Sequence, residues 1–67
     1  MPVVIVNVWR GFSDASKRKI IEGITRVFTE LGIPAEAVEI IIHEIPMENW
    51  GVGGMQASEK FREVKIP

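Results

Sequence analysis

The residues of this chain with chemical reach are few, and their types narrow the chemistry. There is no cysteine and only one histidine, His43. Disulfides, thiol nucleophiles and thiolate metal sites are therefore excluded, and so is a histidine cluster around a metal. No metal and no cofactor are expected. Pro2 is notable for its position. An internal proline has no N–H and no basic lone pair, and at second place it can simply open an edge strand. Removal of Met1 would instead turn Pro2 into a secondary amine, which is a base. Burial and nearby cations would favour its neutral form and bring its pKa toward neutrality, where a general base is most useful. His43 and Glu44 suggest an acid–base pair, but adjacent residues of a strand point to opposite faces. His43 reads instead as a structural residue at an interface. Gly51, Gly53 and Gly54 hint at a phosphate loop, yet no Lys-Ser or Lys-Thr follows. A hairpin with positive φ angles fits them better. Trp50, set among these glycines, suits a buried contact between subunits.

Composition says what must hold such residues in place. The chain has 67 residues, room for one domain spanning 1–67. A domain this short buries only about 60% of the surface its unfolded chain exposes. Yet 46% of its residues are apolar, more than so small a globule can hide. Without disulfides or metal, burial between subunits is the expected source of stability. The net charge is −1, from 8 basic and 9 acidic residues, with no basic patch to suit a nucleic acid. The apolar runs are far shorter than the ~20 residues of a membrane span. No charged n-region precedes an apolar stretch, so no signal peptide is read, and a cytoplasmic location is expected.

The elements follow from periodicity. Val3 to Trp9 is a nearly unbroken β-branched run and predicts a strand buried on both faces. Ser13 is a good N-cap, with Asp14 in the first helical turn. Ile20, Ile21, Ile24, Val27, Phe28 and Leu31 then form an apolar helical stripe. Lys17, Arg18, Lys19, Glu22, Arg26 and Glu30 fall mostly on the other side. Gly23 costs roughly 1 kcal/mol against alanine there and marks either a close approach to the sheet or nothing. Gly32 and Pro34 end the helix. Val38 to Ile45 predicts a second strand, stopped by Pro46. Strand, helix and strand with short joints give a crossover and two parallel strands. One sheet face and both edges stay uncovered. Asn49 to Met55 is a tight hairpin or a loop. Ala57 to Val64 makes a last helical turn or a tail that grips a neighbour.

Met1-Pro2 before an aliphatic strand, Gly11 with Ser13-Asp14 and Lys17, Pro34, the Val38–Glu44 strand, Trp50-Gly51-Val52-Gly53-Gly54 and Ala57-Ser58 resemble together the 4-oxalocrotonate tautomerase family. The resemblance covers nearly the whole chain. It implies an α+β fold: a β-α-β subunit with a short C-terminal hairpin, paired into four-stranded sheets and assembled as a hexamer of three dimers. It implies an isomerase that moves a proton between oxygen and carbon of a small enol or unsaturated acid, with Pro2 as the catalytic base. Trp50 matches an aromatic residue that lines the family's site.

The binding charges depart from that pattern. The position after Gly11, usually arginine in the family, is Phe12. The family's second-strand arginine aligns with Glu39, which reverses the sign. A dicarboxylate would lose two charge-assisted contacts and meet repulsion from Glu39. Arg10 either binds a substrate carboxylate in their place, or is a surface charge, or pairs with Glu39. An apolar wall of Phe12 and Trp50 fits a monocarboxylate or aromatic enol. A subunit lacking these arginines also fits a hetero-oligomer whose partner supplies them, or a tautomerase fold kept only for structure or binding.

Overall fold

The computed structural model describes residues 1–67 in full. In chain order it contains β1 (Val3–Trp9), α1 (Asp14–Thr29), β2 (Glu39–Ile45), β3 (Gly51–Val52), β4 (Met55–Gln56) and α2 (Ala57–Lys60). Single 3-10 turns at Ala35–Ala37 and Met47–Asn49 lead into β2 and β3. β1 and β2 pair in parallel, from Val3 opposite Glu39 to Trp9 opposite Ile45. β3 and β4 form an antiparallel hairpin. Gly53 and Gly54 join them with φ of 59° and 85°. Two positive φ angles in a two-residue turn match the right-handed twist of the flanking strands, and only glycine adopts them without strain.

Capping sets the limits of α1. Ser13 Oγ accepts the Ser16 N–H at 3.0 Å, which satisfies one of the free amides of the first turn. At the other end Gly32 takes φ 93°. Its N–H donates to Thr29 O, and the Ile33 N–H reaches back to Phe28 O. This is a Schellman closure, and it ends the regular helix at Thr29, two residues before the apolar stripe runs out.

Strand alternation divides the β1–β2 sheet into two faces. Val4, Val6, Val8, Ile40, Ile42 and Glu44 are half-buried, and Glu44 bonds to α1, so this is the face α1 covers. Lys17, Ile20, Ile24 and Phe28 are the half-buried helical residues at matching spacing. The opposite face carries Val3, Ile5, Asn7, Glu39, Ile41 and His43, all exposed. Val3, Ile5 and Ile41 keep 55%, 56% and 42% of their surface open. The expected burial of β1 on both faces is therefore not achieved by one chain, because it has one helix and two sheet faces. Ile21, Val27 and Leu31 on the outer side of α1 are exposed as well. Only Ala57 is fully buried. The radius of gyration is 14.6 Å, against about 11 Å for a compact chain of this length.

Gly23 does not mark a close approach, since a Cβ there would meet nothing within 4 Å. Gly23→Ala should then stabilise the protein by up to about 1 kcal/mol through helix propensity. A raised thermal midpoint is the expected result. A lowered one would mean that another copy packs against this position.

Candidate active site

Pro2 lies just ahead of β1 and is half-buried, with Met1 exposed before it. Its carbonyl accepts the Glu39 N–H at 3.0 Å, so the parallel ladder is fastened to Pro2 through its oxygen. The nitrogen plays no part in that bond. Glu39 is therefore the residue of β2 beside Pro2. Its side chain is exposed on the open sheet face and forms no ion pair within the chain, where the salt bridges are Lys17–Glu44 and Asp14–Arg18.

Arg10, Phe12 and Trp50 lie at the other end of the sheet. The Arg10 N–H continues the ladder to Ile45 O at 2.9 Å, and its side chain is exposed without an acidic partner. Phe12 is half-buried in the turn before α1. Trp50 stands edge-on to Trp9, with ring centroids 5.8 Å apart and planes at 79°. Trp9 in turn packs on Phe61 at 5.4 Å. Edge-to-face and tilted stacks of this kind add roughly 0.5–1.5 kcal/mol each beyond area burial. The Trp9 Nε1–H is buried without a hydrogen-bond partner. A shallow pocket of about 300 Å³ opens on the hairpin side of Trp50, lined also by Glu48, Asn49, Gly51, Met55 and Gln56.

One chain thus places the candidate residues at the two ends of the sheet, Pro2 and Glu39 at one, and Arg10, Phe12 and Trp50 at the other. The seven residues of β1 separate them, roughly 23 Å at ~3.3 Å per residue. Arg10 and Glu39, which sequence alone allowed as an ion pair, cannot meet within one chain. His43 and Glu44 face opposite ways as expected. His43 is exposed on the open face, whereas Glu44 points to α1.

Glu44 is the residue whose part sequence reasoning missed. Its Oε1 lies 2.6 Å from Lys17 Nζ, and its Oε2 accepts the Gly11 N–H at 3.0 Å. The two side chains are 27% and 32% exposed. The Lys17 hydrogen bond, then the Gly11 amide, hold the Glu44 carboxyl below its ordinary value against the opposing effect of burial. Periodicity alone places Lys17 with charges that fall mostly on the outer side of α1. The signal that could have moved it is spacing, since Lys17, Ile20, Ile24 and Phe28 follow steps of three and four on one face. Of the two alternatives for Ala57 to Val64, Ala57–Lys60 forms the helical turn, α2, and beyond it runs the C-terminal tail. Here it returns to its own chain, where Ile66 lies against Gly11 and the Pro67 carbonyl accepts from Ser16 Oγ at 2.9 Å.

A parallel β-α-β unit followed by a glycine hairpin defines the class. A family model described as tautomerase enzyme matches residues 2–60. A 2-hydroxymuconate tautomerase of Comamonas testosteroni is 38% identical over 63 residues, which cover 92% of this chain and 100% of that protein. Among solved structures, a 4-oxalocrotonate tautomerase isozyme from Methylibium petroleiphilum superposes with a TM-score of 0.80 at 38% identity, over 85% of this chain and 94% of the other. TomN, a 4-oxalocrotonate tautomerase homologue in the tomaymycin biosynthetic pathway, gives 0.86 at 35% identity, over 92% and 97%. The chain belongs to the tautomerase family, in the company of the 4-oxalocrotonate tautomerases, and is an isomerase. No helix is long and apolar enough to cross a membrane.

The ion pair sets an acid limit on stability. Glu44 titrates lower in the folded chain than its ordinary 4.5, so folding gains from its ionised form. That gain is complete above the unfolded pKa and is lost as pH falls through the lowered folded value. Thermal melts of the protein and of Glu44→Gln should therefore differ most near neutrality and converge as pH falls through and below the ordinary carboxylate range. A difference independent of pH would remove the charge of Glu44 from the account.

Proposed function

We infer that the chain is a keto–enol tautomerase in which Pro2, freed of Met1, is the general base toward a small 2-hydroxy-dienoate or pyruvate-like enol. The amine would take a proton from the enol oxygen side and return it to carbon, with no cofactor. A neutral secondary amine poised near working pH suits both steps. The observation that carries this reading is the position of Pro2 itself. Its carbonyl anchors the sheet and its nitrogen stays outside the ladder, so the nitrogen can change from amide to amine without cost to the strand.

The separation of the two residue groups supports a site shared between copies, with Pro2 and Glu39 from one subunit and Arg10, Phe12 and Trp50 from another. The open sheet face and the near-absence of fully buried residues support the assembly that such a site needs. A hexamer of three dimers is the state the resemblance implies. Phe12 and Trp50 would form an apolar wall, and Arg10 would take the substrate carboxylate. The match to 2-hydroxymuconate tautomerases keeps that dicarboxylate as a candidate. Phe12 and Glu39 favour a monocarboxylate or an aromatic enol instead. A cytoplasmic location belongs to the same reading.

Glu39 favours a second assembly. It is exposed beside Pro2 and has no cation of its own chain to pair with. A second subunit type carrying arginines would supply both that partner and the missing binding charges.

The test is the ketonisation of phenylenolpyruvate and 2-hydroxymuconate, followed by absorbance, for Met1-free protein and its Pro2→Ala variant. The expected result is a rate well above buffer that collapses in Pro2→Ala. A rate equal to buffer would leave a partner-dependent subunit or a non-catalytic scaffold. A rate untouched by Pro2→Ala would remove the proline from the mechanism. Arg10→Ala should raise KM about tenfold for an acidic enol with little change in kcat, as loss of a charge-assisted contact made equally in ground and transition states does. An unchanged KM takes Arg10 out of the site.

A further inference from the structure

We propose that Glu44 is a positioning residue for the site, reaching from β2 to fix the Gly11–Phe12 turn and with it the wall and the charge that this turn presents to substrate. The inference rests on the reading of Arg10 and Phe12 as site residues given above. It concerns how they are held, for which family membership offers no account.

The turn between β1 and α1 is where looseness would be expected. Gly11 has φ 120°, a conformation that costs glycine nothing and is therefore not self-locking. Two restraints replace intrinsic stiffness. From β2, each oxygen of the Glu44 carboxylate has its own partner, Oε2 the Gly11 N–H at 3.0 Å and Oε1 the Lys17 ammonium at 2.6 Å. The bond spans 33 positions of sequence and ties the turn to the sheet. From the tail, the Ile66 side chain lies where a Gly11 Cβ would touch it at 3.6 Å. The Pro67 carbonyl accepts the Ser13 N–H at 3.4 Å and the Ser16 hydroxyl at 2.9 Å. Phe12 is thus bracketed by a residue gripped from β2 and one gripped from the tail.

Stability alone does not account for the ion pair. Glu44 and Lys17 occupy the interface of sheet and helix, on the rows of Ile40, Ile42 and of Ile20, Ile24. Two apolar side chains there would bury more surface without desolvating charge, and such replacements are often neutral or stabilising. An apolar residue at position 44 could not accept the Gly11 N–H. Retaining a carboxylate there gives the turn a directional anchor that packing cannot supply. Lys17 is the cation facing Glu44 from α1 and keeps it ionised and oriented.

The experiment compares Glu44→Ala, Glu44→Gln and Lys17→Met, reading both the Gly11 amide by proton–nitrogen NMR and steady-state ketonisation of phenylenolpyruvate by Met1-free protein. In the unaltered protein the Gly11 amide shift should follow Glu44 titration, with a midpoint below the ordinary carboxylate range. In Lys17→Met that midpoint should move up. In Glu44→Gln the amide should stay hydrogen-bonded but cease to titrate. Glu44→Ala should raise KM about tenfold with kcat within about twofold, since a displaced turn weakens binding alike in ground and transition states. Glu44→Gln, which keeps the acceptor, should recover most of that loss. If Glu44→Ala fails to fold, Lys17→Met carries the test, with a rise in KM of about threefold expected. Proline-dependent activity with KM unmoved in the readable variant overturns the positioning role alone. So does a Gly11 amide that never responds to Glu44. Activity absent, or indifferent to Pro2→Ala, overturns the catalytic reading and the positioning role together.

Discussion

Parallel pairing of β1 and β2 is the constraint from which the rest of this molecule follows. Two strands joined by a helix and running the same way must start at one end of the sheet and finish at the other. Pro2 and Glu39 therefore share the starting end, and every turn that follows a strand gathers at the finishing end. Arg10, Phe12, Trp50 and the hairpin are there because the chain leaves β1 and β2 on that side. No rearrangement of side chains can bridge the length of β1. If these residues serve one reaction, they do so by juxtaposing different subunits.

The same topology limits stability. One amphipathic helix covers one sheet face, and the other face is left with Val3, Ile5 and Ile41 open to water. Each such side chain is worth roughly 1.5–3 kcal/mol when fully buried. A single chain therefore forgoes much of what its own composition offers. The outer side of α1 repeats the pattern with Ile21, Val27 and Leu31. On the proposed reading, assembly and site formation are one event, since the exposed apolar surfaces flank the candidate residues.

Much of this was legible in the residues. β-branched runs marked both long strands, Ser13 and Gly32 marked the helix, and Gly53-Gly54 marked the hairpin, because each depends on local backbone preference. The open sheet face could be read from counting faces against helices. What could not be read were contacts that join remote positions. Glu44 with Gly11 and Lys17, Trp9 between Trp50 and Phe61, and Ile66 on Gly11 all depend on register and on the path of the tail, which local preference leaves free. Pro2 and Trp50 stood out by position and type, but Arg10, Phe12 and Glu39 were identifiable as candidates only through family likeness. Their division between two ends follows from the parallel register and needs no likeness at all.

The bond from Glu39 to the carbonyl of Pro2 has a consequence for maturation. Strand formation uses the oxygen of that residue and not its nitrogen, so the β1–β2 ladder makes the same bond whether or not Met1 is retained. Nothing in the ladder sorts the two forms. On the proposed chemistry, incompletely trimmed chains that entered an assembly would set silent and working sites side by side. Specific activity would then report the efficiency of methionine removal in the cell as faithfully as it reports the enzyme, and two preparations indistinguishable by size could differ in turnover by the fraction of subunits trimmed.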